Sequence, residues 1–234
     1  MQSWFGNTSS PAWHCYTIGH SNHKTEDFIT LLKNYNIDTI IDVRSTPYSQ
    51  YQSQFNREQL KNDIDVDNKK IPTENKGFIK ATNLKPFQKI TYIYMGDKLG
   101  GRYEDRTLFF KSGVVDYNKV RKTTKFQQGI DELFALILNG KTVAIMCTEK
   151  DPLDCHRFLL VSHSLAQQKK VEIDHILADG TTISNGDLER KLILKYGNAS
   201  TEKLYELRNQ DVGYSVNKEP RGPHKRLENQ TLNV

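Results

Sequence analysis

Four short apolar runs, each breaking at once into a polar or glycine-bearing cluster, constrain this chain more than any other feature. Cys15 to Ile18 ends at Gly19, His20 and Ser21, and Ile37 to Val43 carries Asp42 and Arg44 at its end. Ile90 to Met95 leads to Leu99, Gly100, Gly101 and Arg102, and Thr142 to Met146 leads to Cys147 and the stretch up to Arg157. Continuous apolar runs of this length read as strands buried on both faces, the pattern of a parallel sheet covered by helices. The segments between them have helical period. Phe28, Leu31, Leu32 and Tyr35 recur behind Thr25 as a cap, and Phe126, Ile130, Leu133, Phe134 and Ile137 line one face of a helix that stops at Gly140. Asp154 is expected to cap a further helix that turns Val161 and Leu165 inward, its start stapled by Leu153 against Phe158. Val171 to Leu177 reads as a last strand and Ser184 to Tyr196 as a last helix stopped by Gly197.

Strands alternating with helices predict an α/β fold, a mainly parallel sheet with helices on both faces. In such sheets ligands gather at the carboxyl ends of the strands, where all four polar clusters fall. A length of 234 residues suits one domain. The expected division is a flexible arm over 1–12, a single domain over 13–197, and a mostly disordered polar tail over 198–234. The domain carries an irregular insertion or lid at about 45–89, with one short helix near Arg57 to Asp63. Hydrophobic residues make up only 36% of the chain, which is why the two ends are assigned outside the core. Within the tail only Thr201 to Arg208 has an amphipathic pattern, the one hint of protein association there.

Several classes of function are disfavoured. No run approaches the ~18 apolar residues of a membrane span, and residues 1 to 13 lack the pattern of a signal peptide. No membrane partner and a cytoplasmic location are therefore expected. Three cysteines, Cys15, Cys147 and Cys155, argue against a disulfide framework. A formal charge of +5 permits an anionic small molecule or a nucleic acid, without the basic stripe of a dedicated nucleic-acid binder. No oligomeric state and no cofactor are specified by these residues.

The fourth cluster carries the most chemistry. Cys147 follows a buried strand directly, and Cys155, His156 and Arg157 are expected in the first turn of a helix, where free N–H groups and the helix dipole stabilise a thiolate. Cys155 and Cys147 are the candidate nucleophiles, with His156 or His20 as proton carrier. The competing reading makes Cys147 a small buried hydrophobe and Cys155 a structural helix-start residue. A zinc site is a third reading, but cysteines eight apart with His156 match neither a paired-cysteine knuckle nor a helical histidine pair, so no metal is expected. Arg44, Arg102 and Arg157 suit a planar anion because guanidinium forks bond bidentately, with Asp42, Glu149, Gly100 and Gly101 around them. Alternatively the arginines only close loops, Arg44 onto Asp42, Arg157 onto Glu149 or Asp154, and Arg102 onto Glu104 or Asp105. The second functional class is a non-catalytic nucleotide or nucleic-acid binding module with structural cysteines, aided by Arg221, Lys225 and Arg226 in the tail.

The strings YTIGHS (Tyr16 to Ser21), DVR (Asp42 to Arg44), LGGR (Leu99 to Arg102) and MCTEKDPLDCHR (Met146 to Arg157) together resemble the bacterial family catalogued as "domain of unknown function 488". The resemblance spans roughly residues 15 to 197. It implies an α/β domain and makes His20, Asp42, Arg44, Gly100, Gly101, Arg102, Cys147, Glu149, Cys155, His156 and Arg157 the motif positions. A fainter likeness is to rhodanese-type sulfurtransferases, which share an Asp-Val-Arg string and a later cysteine. It would make Cys147 the persulfide carrier. This chain departs from that pattern by placing Glu149 and Asp151 just after Cys147, and nearby negative charge opposes a thiolate. On that ground Cys155 is the better nucleophile.

Overall fold

The computed structural model describes residues 13–70 and 89–215. The expected arm, part of the expected insertion and the tail residues Arg221, Lys225 and Arg226 lie outside the described residues.

The fold is α/β. Six strands form one sheet: β1 (Trp13–Gly19), β2 (Thr39–Asp42), β3 (Thr91–Tyr94), β4 (Val143–Cys147), β5 (Val171–Ile176) and β6 (Thr182–Ser184). Their order is β3-β2-β4-β1-β5-β6. The first five are parallel, and β6 returns antiparallel along the β5 edge. Eight helices complete the described chain: α1 (Thr25–Asn34), α2 (Arg57–Lys69), α3 (Gly96–Leu99), α4 (Tyr117–Val120), α5 (Thr124–Leu138), α6 (His163–Lys169), α7 (Asn185–Tyr196) and α8 (Thr201–Val212).

Alternation along the strands divides the core in two, because successive side chains point to opposite faces. Ile18, Ile40, Ala144 and Met146 pack against Phe28, Ile29 and Leu32 of α1 and Leu60 and Ile64 of α2. Cys15, Ile41, Val143, Ile145 and Cys147 pack on the other face, against α5, α6, α7 and α8. Cys147 is thus the last inward residue of its strand, at the edge where the parallel strands end. The register sets Gly19 beside Cys147, and Ile18 and Asp42 beside Met146. The ladder continues one step further, with the His20 N–H donating to the Cys147 carbonyl at 2.9 Å.

Several local expectations change. Lys24, not Thr25, precedes α1, with no side-chain cap. Asp154 caps nothing. Asp151 instead accepts from the Leu153 N–H at 2.9 Å over a 3-10 turn, and Asp154 pairs with Arg208. The chain then passes through a π-helical turn, Arg157–Ser162, before α6 begins. The insertion is less irregular than its composition suggests: α2 runs through to Lys69, and Phe55, Leu60 and Ile64 are buried. The polar tail is corrected over its first part. α8 is a folded helix whose Leu204 and Tyr205 join the core, and Asn209 bonds the Tyr117 N–H at 2.9 Å and the Val115 carbonyl at 3.0 Å. Three buried or bonded residues fix a segment that is otherwise charged, so its mean hydropathy concealed it.

Ser184 does cap α7, its hydroxyl accepting from the Asp187 N–H at 3.1 Å. Ser184→Ala is expected to cost about 1 kcal/mol, read as a lower urea midpoint at unchanged slope. An unmoved midpoint would mean that Leu188 and Leu192 alone hold the helix.

Candidate functional site

The end of β4, the 3-10 turn and the π-helical turn bring four side chains together. The donor atoms of Cys147, Glu149, Cys155 and His156 all lie within 4.8 Å of one another. Both thiols donate to the same carboxylate oxygen, Glu149 Oε2, from Cys147 at 3.0 Å and from Cys155 at 2.9 Å. His156 Nδ1 stands 3.6 Å from the Cys147 sulfur and 4.0 Å from that of Cys155. Its Nε2 donates to the Val43 carbonyl at 2.9 Å, which fixes the ring with Nδ1 toward the sulfurs. Glu149 is partly exposed as a residue, yet its carboxylate is enclosed, Tyr214 donating to Oε1 at 2.8 Å. A π-helical turn beside such a cluster is a common means of re-aiming side chains at functional positions.

Charge in this pocket is unevenly shared. Burial opposes ionisation of Glu149, but His156 and the hydrogen bonds from both thiols and Tyr214 outweigh it and hold the carboxyl down at about 2. Burial pushes the Cys147 thiol well up, helped by its bond to Cys155 and by the adjacent carboxylate. Burial also acts against a Cys155 thiolate. There, however, the hydrogen bond from Cys147, the Arg157 charge and the His156 contact bring the thiol down to about 6. The Arg157 N–H, 3.4 Å away, adds a donor to the same sulfur. Cys155 is the more acidic of the two, and Cys147 holds its proton.

A second cluster adjoins the first. Asp42 receives Arg44 through Nε at 2.9 Å and Nη2 at 2.7 Å, and takes the Tyr92 hydroxyl at 2.5 Å. Arg44 also donates to the Phe55 carbonyl at 2.8 Å and stands 3.2 Å from His20 Nε2. The other ring nitrogen of His20 donates to the Ser21 carbonyl at 3.0 Å, and the ring stacks on Phe55 at 4.3 Å. Both ring nitrogens are therefore engaged away from the sulfurs. Burial and the Arg44 charge bring the His20 pKa down to about 3.

The remaining motif residues have distinct positions. Arg157 is fully buried and donates to the Glu149 carbonyl at 2.6 Å and the Lys150 carbonyl at 3.2 Å, bracing the loop from beneath. Arg102 is exposed, its guanidinium 4.9 Å from the centre of the Tyr214 ring and without a carboxylate partner among the described residues. Gly100 and Gly101 are spacers: a methyl group on Gly100 would meet Ser45 Oγ at 2.3 Å, and one on Gly101 would meet the His156 ring at 2.7 Å. Arg44, Ser45, Thr46, Arg102, Cys147, Thr148 and Tyr214 line one cavity of about 40 Å³. A larger cleft of about 690 Å³, lined in part by Arg121, His163 and Glu202, holds none of the motif residues. Tyr214, Ser45 and Tyr92 were not singled out for the site from sequence. Tyr214 is a lone aromatic in a polar stretch, and no local pattern pointed to it.

These features define an α/β protein with a mainly parallel sheet and a sulfur, imidazole and carboxylate cluster at the carboxyl ends of its strands. The model of the family described as Domain of unknown function DUF488 matches residues 24–70 and 63–163. The chain belongs to that family. No curated protein and no solved structure matches it.

Proposed function

We propose that the chain is a cysteine-dependent enzyme acting on a substrate that carries a small oxyanion, with Cys147 as the group the substrate meets. The supporting observation is a cavity whose lining joins Arg44, Arg102 and Cys147. About 40 Å³ is room for a few water-sized groups, the head of a phosphate or carboxylate rather than a whole nucleotide. Arg102 has no carboxylate partner among the described residues, and Arg44 uses four of its five N–H groups on Asp42, Phe55 and His20. Both leave donors for an anion. Glu149 supplies a hydrogen-bond acceptor 3.0 Å from the Cys147 sulfur. Cys155 shares that acceptor and His156 Nδ1 faces both sulfurs, and in this reading the two set the charge of the thiol pair.

The reading is tested by alkylation of Cys147 with anionic iodoacetate and with neutral iodoacetamide, followed by peptide mapping. Arg102→Ala is expected to lower the iodoacetate-to-iodoacetamide rate ratio by about 10-fold, equivalent to ~1.4 kcal/mol of lost anion recognition. A ratio equal in the native protein, the variant and the urea-unfolded chain would remove the proposal.

A further inference from the structure

Glu149 is a nearly enclosed carboxylate that accepts hydrogen bonds from two thiols and a phenol. No lysine or arginine pairs with it among the described residues. His156 is the one basic group in the same four-residue cluster, and a divalent cation seated among the four would balance the buried charge more fully than an imidazole and neutral donors do. The groups facing Glu149 are themselves cation ligands: two sulfurs and an imidazole nitrogen.

The geometry points to a binding site for one zinc-class divalent ion, held by Cys147, Cys155, His156 Nδ1 and Glu149 Oε2. This inference deepens the preceding reading and rests on the same sulfur pair. Two cysteines, one histidine and one carboxylate form a four-ligand set of the softness that zinc prefers, and bond lengths of about 2.0–2.3 Å give tetrahedral edges of roughly 3.3–3.8 Å. The Nδ1 to sulfur distances of 3.6 and 4.0 Å are close to such edges. The sulfur to oxygen distances of 3.0 and 2.9 Å are shorter than such edges, so the carboxylate oxygen would move outward from both sulfurs when an ion is seated. An ion entering the pocket displaces whatever protons the two sulfurs carry. Each S–H bond breaks, its proton leaves to water, the sulfur lone pair becomes a metal bond, and no electrons change hands.

The surrounding shell has the form that a metal site requires. A ligating histidine donates its far nitrogen to a fixed acceptor, and a ligating carboxylate is itself hydrogen-bonded. Here the far nitrogen of His156 donates to Val43 at 2.9 Å, and the far oxygen of Glu149 accepts from Tyr214 at 2.8 Å. The contribution to the chemistry follows directly. A coordinated thiol is deprotonated by the ion, so Cys147 would face the anion cavity as a metal-bound thiolate instead of a protonated thiol.

The test uses the full chain stripped with a chelator and titrated with cobalt(II) and then zinc. We expect one equivalent of cobalt to bind with thiolate-to-cobalt charge-transfer absorption, which zinc then abolishes. Zinc is expected to protect Cys147 and Cys155 from alkylation. Tyr214→Phe, which frees one oxygen of Glu149 without touching a ligand, is expected to weaken zinc binding by about 10–100-fold. Arg102→Ala is expected to leave zinc affinity unchanged while altering the iodoacetate preference, so the two proposals fail separately. Cobalt binding without charge-transfer absorption overturns the inference, as do equal alkylation rates with and without zinc. The last measurement needs no variant and stands even if Cys147→Ser or Cys155→Ser does not fold.

Discussion

Asp42→Ala is expected to destabilise the protein by about 3–5 kcal/mol, the largest effect of any single substitution considered for this chain. Asp42 is completely buried and Arg44 is 5% exposed, so removing the carboxylate strands a guanidinium that is almost wholly withdrawn from bulk water. The Tyr92 hydroxyl, half-buried, loses its acceptor as well, which adds to the loss. Urea denaturation gives the number directly. The double variant Asp42→Ala/Arg44→Met is expected to recover part of the loss, because a buried ion pair replaced by apolar groups is often nearly neutral. A loss below ~1 kcal/mol in the single variant would mean that Arg44 finds solvent or another acceptor.

The second large effect is a loss of stability on acidification, and His175 is its clearest source. The ring is fully buried, with Nδ1 2.8 Å from the Thr17 hydroxyl and Nε2 3.3 Å from Asn185 Oδ1. Burial, and then the Arg157 charge, push its pKa down to about 3. In the unfolded chain the same group takes up a proton near pH ~6.5. Between those values the unfolded state binds the extra proton, so stability falls as the pH is lowered through that window and is unaffected above it. One such group contributes ~1.4 kcal/mol per pH unit, or about 3 kcal/mol between pH 6.5 and 4. His163, pushed down to about 4 by burial and Arg121, acts with the same sign. Unfolding midpoints measured across this range are expected to fall less steeply for His175→Gln, by close to one proton. Parallel slopes would show that His175 does not govern the acid response.

Much of this architecture was legible because burial on both faces leaves a continuous apolar signal. Ile37 to Val43 and Thr142 to Met146 could be read as strands from composition alone, and the helical period of α5 was equally plain. The rule that parallel strands present their polar residues at the carboxyl ends then marks Asp42, Arg44 and Cys147 from sequence alone. What escaped was decided by contacts between distant segments. Cys147 and Cys155 are eight positions apart in the chain, but the 3-10 turn at Pro152–Asp154 shortens that path until both sulfurs meet one oxygen. The acidic turn that counted against a thiolate at Cys147 contains Glu149, and the carboxylate proves to be the shared acceptor of both thiols.

α8 shows the same limit from the other side. Leu204 and Tyr205 are two apolar residues in a charged stretch, too few to register as a core helix, yet Phe158 stacks near Tyr205 at 4.9 Å and the helix is held firmly. A similar economy applies to Arg157. Nothing in its sequence position distinguishes an anion ligand from a brace, and only the fold shows its amino groups turned to the carbonyls of Glu149 and Lys150.

The phenol of Tyr214 lies 65 positions downstream of the carboxylate it holds. During synthesis the sulfurs, the imidazole and Glu149 leave the ribosome first, and the last strut of their pocket follows only after α8. A chain stalled or clipped shortly after Gly197 would retain every motif residue and still lack both that strut and the helix leading to it. Maturation of this centre is therefore tied to completion of a segment that carries none of the residues by which the centre is recognised.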